Sequence, residues 1–236
     1  MSLLTPFTKK SKLNTTIKQT AQARVSDGTT RDGLFKAAYQ NYAEILQDDA
    51  LRAETLYHWG FALYHQASTK SVEEASTLYQ DAIEKFTFCM LINPNYLAAA
   101  INSGVAYMDL ARLNQAKPED SLYLSAKKQF EKANAIQAGT ASYNLACIYA
   151  LQGNTEASLA ALENARTKVT LPAINDILND PDMKSAKDQA WFTAFIASLN
   201  QDIIDAKTKA EGEAEAKILA NEQKKLKKVT KDSNYY

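Results

Sequence analysis

The sequence has few of the residues that interrupt helices. Among 236 residues there are only 7 glycines and 5 prolines, whereas alanine, leucine, lysine, glutamate and glutamine are common. Glycine and proline are the poorest helix formers, and the abundant residues are among the best. The composition therefore predicts an all-α protein. Its length is sufficient for one elongated domain with a continuous buried core.

The sequence also lacks an excess of charge of either sign. The 27 basic residues balance 27 acidic residues, so no strong field attracts nucleic acid or an anionic membrane to the whole surface. We therefore expect another protein as the partner and not nucleic acid. Lysines do cluster near both ends, within residues 9–24 and 224–231, and weak contact of these basic ends with a membrane surface remains an alternative.

Long apolar runs are missing as well. No stretch approaches the roughly 20 apolar residues that span a bilayer, and residues 1–12 lack the apolar run of a secretory signal. These absences predict a cytoplasmic protein without a transmembrane segment. The two cysteines, Cys89 and Cys147, lie in apolar helical patterns and not at Cys-x-x-Cys spacing, which favours buried reduced thiols over a disulfide or a metal site.

Motifs that carry catalysis are absent from the sequence. It contains no Gly-x-Ser-x-Gly, no phosphate-binding Gly-x-x-x-x-Gly-Lys-Ser/Thr, no His-Glu-x-x-His and no Gly-x-Gly-x-x-Gly. His58 and His65 share one helical face, but no acidic or cysteine ligand lies at the turn between them, and zinc usually takes four ligands. We therefore predict a protein that is not an enzyme, with no cofactor and no metal.

What the sequence does contain is an internal repeat of 44 residues. A small residue on a first helix lets a second helix approach closely, and a ring on the second helix fills the space beside it. Apolar residues spaced three and four apart make both segments amphipathic helices. The repeat pairs Gly60, Ala82, Phe86, Cys89 and Pro94 with Gly104, Ala126, Phe130, Ala133 and Ala138.

These residues resemble the tetratricopeptide-repeat (TPR) family. Residues 53–64 are similar to the first helix of a TPR, and residues 141–149 resemble it again. Ala146 and Ser158 lie twelve residues apart, as the equivalent small residues do in that family, whereas the first two repeats are ten residues longer and predict lengthened helices. The resemblance implies an all-α, TPR-like α-solenoid of antiparallel helical hairpins.

The pattern divides the chain into three parts. Residues 1–30 are basic and polar and predict a flexible segment, while residues 201–236 are charged and alanine-rich and predict a helical or disordered tail. The TPR-like array occupies residues 31–200 between them. Its predicted parts are a half-repeat at 31–50, repeats at about 53–96, 97–138 and 139–170, and closing helices at 171–200.

In a TPR-like stack the first helices line the concave surface, and the register assigns the side chains that face it. Most are apolar or aromatic, and the asparagines suit hydrogen bonding to a guest backbone. The predicted peptide-binding groove consists of Tyr57, Phe61, Tyr64, Ile101, Asn102, Val105, Met108, Tyr143, Asn144 and Cys147. We therefore predict a non-catalytic interaction module, an adaptor or chaperone that binds an apolar peptide or helix of a client protein.

One specific function of the family is not expected here. TPR domains that bind the acidic carboxyl terminus of heat-shock proteins use cationic side chains together with asparagines. The corresponding positions are Tyr57, Phe61, Asn102, Thr140 and Asn144. Because none of them is a cation, we expect no binding of a Glu-Glu-Val-Asp peptide.

Two other interpretations of the pattern remain open. The groove residues are common in TPR-like helices with or without a ligand and also serve to pack neighbouring helices. In the second interpretation the array is a scaffold that self-associates or organises a larger complex, through the region near Trp191 and Phe192 or through the charged tail.

Overall fold

The computed structural model describes the backbone of residues 5–232 and the side chains of residues 9–215 and 217. This part of the chain is helical and contains no strand, which confirms the all-α class predicted from the sequence. It divides into two compact units, Met1–Pro172 and Ala173–Tyr236.

The first unit consists of helices that pack as successive antiparallel pairs. Each helix packs mainly against its partner in the pair, and each second helix also contacts the first helix of the next pair. This arrangement is an α-solenoid of helical hairpins. The pairs are α1 (Thr5–Arg24) with α2 (Gly28–Ile45), α3 (Arg52–Ala67) with α4 (Val72–Ile92), α5 (Leu97–Leu113) with α6 (Ser121–Ile136), and α7 (Ser142–Leu151) with α8 (Thr155–Thr167).

The glycines of the repeat allow close contact within each pair. A Cβ atom placed on Gly60 would lie 2.9 Å from Cε1 of Phe86, and one on Gly104 would lie 2.5 Å from Cε1 of Phe130. Both phenylalanine rings are fully buried. The predicted pairing of glycine with phenylalanine is confirmed, and the closeness of the ring explains why no larger residue fits.

Side-chain caps start several of the helices. Ser71 before α4 and Asn154 before α8 each accept a hydrogen bond from the N–H group three residues later, at 3.4 and 3.1 Å. Asp120 caps α6 by accepting from the N–H group two residues later, at 2.8 Å. Gly153, with φ of +68°, lies in the turn before α8. These polar residues therefore set the boundaries of the hairpins.

The first two complete pairs of the 44-residue pattern have longer helices than the last pair. Helices α3 and α4 contain 16 and 21 residues, whereas α7 and α8 contain 10 and 13. The lengthening predicted from the spacing is confirmed.

The N-terminal segment differs from its sequence-based prediction. A flexible segment was expected over residues 1–30 and a half-repeat over 31–50, but Thr5–Arg24 forms α1 and packs on α2, so the two make a complete hairpin. Of the α1 side chains that the structure describes, four are buried and two of these are threonines. Because threonine is polar, a hydropathy pattern does not identify this side of α1 as a buried face. Residues 1–4 lie outside the described part. The buried residues of α1 are Leu13, Thr16, Thr20 and Ala23.

The second unit contains α9 (Ile174–Asn179), a 3-10 turn at Pro181–Met183 and α10 (Ala190–Asp232). One continuous helix thus spans the boundary expected at residue 200 between closing helices and tail. Its first turns bury Phe192, Phe195 and Leu199, and residues 200–215 are exposed. The end of the predicted tail, residues 233–236, lies outside the described residues. Over the part of the chain that the structure describes, no helix combines the length and apolarity needed to cross a membrane.

Candidate protein-binding surface

The predicted groove residues lie on α3, α5 and α7, the first helices of three successive pairs. Met108 and Cys147 differ from the expectation because they are buried, with 4% and 3% of their surface exposed, so they offer no surface to a client. The other predicted residues are half-buried. We call them the first-helix surface, which consists of Tyr57, Phe61, Tyr64, Ile101, Asn102, Val105, Tyr143 and Asn144.

Two hydrogen bonds join the α3 and α5 parts of the first-helix surface. The amide Nδ2 of Asn102 donates to the hydroxyl of Tyr57 at 3.2 Å. The hydroxyl of Tyr64 donates to Oδ2 of Asp109 at 2.7 Å. Both pairs are 45 residues apart in the sequence, so they connect equivalent turns of neighbouring hairpins. These bonds fix the tyrosine rings on the surface. The register did not identify Asp109 as part of this site.

Aromatic rings surround Tyr57. Its ring centroid lies 5.0 Å from that of Tyr96, 6.0 Å from that of Phe86 and 6.1 Å from that of Phe61. Burial raises the pKa of the Tyr57 hydroxyl, and the hydrogen bond from Asn102 offsets part of this rise. The phenol therefore stays neutral at physiological pH and offers an uncharged ring to a ligand.

Phe61 lies at the edge of the first-helix surface that faces α1. The guanidinium carbon of Arg24 lies 5.2 Å from the centroid of its ring, and the imidazole of His65 lies 4.3 Å away in an edge arrangement. Burial, together with the positive charge of Arg24, lowers the pKa of His65 to about 4. His65 is therefore a neutral aromatic ring at pH 7. The contribution of α1 was not predicted from the sequence, because residues 1–30 were expected to be flexible.

An open cavity adjoins this edge. It has a volume of about 450 Å³ and lies where α1, α2 and the end of α3 meet. Arg24 and His65 belong both to its lining and to the surroundings of Phe61. The aromatic surface thus continues into a recess. The lining residues are Ala21, Arg24, Val25, Phe35, His65, Ser68 and Thr69.

The other contact regions considered from the sequence are partly used within the molecule. Lys10 Nζ pairs with Oε2 of Glu54 at 2.5 Å, and Lys12 pairs with Glu44, so these basic residues neutralise neighbouring helices. Phe192 is fully buried and offers no surface for self-association. The basic cluster at residues 224–231 lies outside the residues whose side chains are described.

Comparison with known proteins gives one family match. A family model described as the plant-specific mitochondrial import receptor subunit TOM20 matches residues 30–167, from the start of α2 to the end of α8. No curated protein matches the chain. The match overturns the cytoplasmic location predicted from the sequence, because the matched family is one of mitochondrial import receptor subunits.

Proposed function

The chain belongs to the plant-specific TOM20 family of mitochondrial import receptor subunits, and from this membership we propose that it is a non-catalytic receptor that binds proteins destined for import. Binding other proteins is the role that the family name describes. The finer part of the proposal is the place of binding: the client segment lies along the first-helix surface, as in a TPR-like adaptor.

The preorganised rings of α3 are the observation that carries this proposal. Tyr57 and Tyr64 are held by Asn102 and Asp109 of the next hairpin, with Phe61 between them on the same helix. Side chains that are already fixed lose little conformational entropy when a ligand binds. A row of three such rings is therefore suited to binding the apolar side chains of a client segment.

The chemistry of the client follows from the surface and the family. Mitochondrial targeting segments form amphipathic helices that are rich in arginine and poor in acidic residues. Their apolar face would contact Phe61 and the half-buried Ile101 and Val105, in the manner of a helix in a groove. Burial of three or four apolar side chains at about 1.5–3 kcal/mol each supports micromolar affinity after ordering costs.

Titration of the full chain with a fluorescent, arginine-rich amphipathic peptide tests the proposal. We expect the double substitution Phe61→Ala and Val105→Ala to weaken binding by about tenfold or more. The matched control is Leu124→Ala, which removes a half-exposed side chain from α6 and should leave the affinity unchanged. A Glu-Glu-Val-Asp peptide serves as the ligand control and should not bind.

Circular dichroism of each variant separates loss of binding from loss of fold. Unchanged affinity in the folded double variant would contradict the proposed location. Equal weakening by Leu124→Ala would show that the loss is not specific to the first-helix surface. Absence of peptide binding by the wild-type chain would contradict the receptor function for this class of client.

A further inference from the structure

The outer face of the array carries an exposed apolar patch that the first-helix surface does not include. Phe88, Leu91 and Ile92 lie three and four residues apart at the end of α4, and 51%, 71% and 47% of their respective surfaces are exposed. Residues at this spacing share one face of a helix. We call these three residues the outer apolar patch. Such a cluster on an outer helix face marks a contact site.

The internal repeat provides a comparison for this patch. The positions 44 residues earlier, on and just after α2, are Glu44, Gln47 and Asp48, and two of these are acidic. The positions 44 residues later, on α6, are Lys132, Ala135 and Ile136. Solenoid packing therefore does not require an apolar triplet at this position, and the patch is a specific feature of α4.

The second helices α2, α4 and α6 lie side by side on the outer face. The ring centroid of Trp59, on α3, lies 6.4 Å from that of Tyr42 on α2. The Nζ atom of Lys85, on α4, lies 5.3 Å from the same Trp59 centroid. Leu78 of α4 and Leu122 of α6 pack against one shared apolar cluster. The outer apolar patch is thus flanked by α2 on one side and α6 on the other.

The two flanking helices carry opposite charge at the level of the patch. Glu44 of α2 pairs with Lys12 of α1 and keeps 66% of its side chain exposed, and the half-buried Asp48 follows it. On α6, Lys128 is exposed and Lys132 half-buried, while the acidic Glu131 pairs with Lys127 at 3.9 Å. The carboxylate of Glu44 and the lysines of α6 therefore lie on opposite sides of the outer apolar patch.

We propose that a second copy of this chain covers the outer apolar patch, with a two-fold axis parallel to α4. Such an axis places the patch against its own copy and brings α2 of each chain against α6 of the other. Glu44 of each chain then lies opposite Lys132 of the other chain, so the two-fold axis produces two equivalent pairs. This self-complementary arrangement is what an isologous interface requires, and opposite charges at its edges define its orientation.

The size of this face lies at the lower end of the range for a stable dimer. Three helices spaced about 10 Å apart, each contributing some 20–25 Å of length, present an area on the order of 600 Å² per chain. Stable interfaces bury about 800 Å² per partner, with an apolar centre and a polar rim. The three apolar side chains supply the centre and the charged rows supply the rim. This surface is separate from the proposed client site, so each can fail without the other.

The first test measures the mass of the full chain in solution over a wide range of concentration. Wild-type protein should reach twice the mass of one chain, and Leu91→Glu should shift the equilibrium to the monomer, since it places two carboxylates together at the axis. The matched control is Val72→Glu, on the same helix with 63% of its surface exposed, and should dimerise normally. A monomeric wild type, or a dimer unaffected by Leu91→Glu, overturns the proposal.

A charge exchange tests the orientation independently of the apolar patch. Glu44→Lys and Lys132→Glu should each weaken dimerisation by about tenfold, because each creates a like-charge pair at both edges. The double variant restores opposite charges and should recover most of the affinity. Failure of the double variant to recover, with its helical content intact, overturns this arrangement of the two copies.

Discussion

Tyr64 donates a hydrogen bond from its hydroxyl to Oδ2 of Asp109, 2.7 Å away on the next hairpin. Arg112, which lies on α5 together with Asp109, also pairs with this carboxylate. The Asp109 side chain, of which 19% is exposed, therefore has one partner on α3 and another on α5. The bond connects two hairpins that otherwise meet mainly through apolar contacts. Its contribution to stability can be measured directly.

Substitution Tyr64→Phe removes the hydroxyl and keeps the ring. Because a partly buried carboxylate then loses a donor, we expect the free energy of unfolding to fall by about 1–2 kcal/mol. Chemical denaturation of the full chain measures this change. Tyr107→Phe on α5, where the ring is half-buried, is the control and should change stability by less than about 0.5 kcal/mol. Equal effects of the two substitutions would contradict a specific role for the hydrogen bond.

Gly104→Ala should destabilise the protein although alanine is the better helix former. The new methyl group would lie 2.5 Å from the ring of Phe130, and overpacking of this kind costs about 1–3 kcal/mol. Gly33→Ala on α2 meets nothing within 4 Å and should stabilise by up to about 1 kcal/mol. Thermal unfolding of both variants measures the difference in sign. Adding Phe130→Leu to Gly104→Ala should recover part of the loss, and no recovery would contradict the steric explanation.

Leu13→Ala tests whether α1 belongs to the array. Leu13 is fully buried, so the substitution leaves a cavity, and we expect the free energy of unfolding to fall by about 2–4 kcal/mol. Asn14→Ala, at an exposed neighbouring position, should be nearly neutral. Denaturation curves of the two variants give the comparison. A neutral Leu13→Ala would indicate that residues 5–24 do not pack on α2 in solution.

The pH dependence of stability should depend on His65. The pKa of this imidazole is about 4 in the folded chain, against 6.5 for an unperturbed histidine. Between these values the unfolded state binds a proton that the folded state does not, so stability is complete above pH 6.5 and decreases as the pH falls towards 4. Solvent reaches part of the ring, and we therefore expect a loss of only about 1 kcal/mol.

His65→Gln removes the titrating group and should reduce this acid-dependent loss. Denaturation at pH 7 and at a pH close to 4.5 measures the loss in both proteins, and NMR titration of the wild type gives the pKa of His65 directly. A normal pKa for this histidine, or identical losses in wild type and variant, would contradict the proposed burial of His65 beside Arg24.

Much of the fold could be predicted because it depends on contacts within one hairpin. Gly60 and Gly104 are each followed 26 residues later by the phenylalanine that packs on them, and a small residue facing a ring is visible in the sequence. The 44-residue repeat extends to α1, since Thr16 and Ala23 lie 44 residues before Gly60 and Ala67. Threonine has a branched Cβ and a polar hydroxyl, so comparison with glycine by residue type missed this buried position.

The first-helix surface was less predictable because it depends on contacts between hairpins. Helical register places Met108 on the same face as Val105, but it does not reveal that the Met108 side chain is buried. It likewise does not reveal that Asp109 receives the Tyr64 hydroxyl. These contacts depend on side-chain rotamers and on the packing of the neighbouring helix, which repeat spacing does not contain.

The glycine–phenylalanine contacts lie inside single hairpins, whereas the two tyrosine hydrogen bonds cross the border between hairpins. Copying or removing a whole 44-residue unit would therefore preserve the contacts inside each remaining hairpin, and the apolar contacts and tyrosine partners at the new junction would need to be supplied again. The length of the first-helix surface can in this way be changed in complete steps, without redesign inside the hairpins that remain.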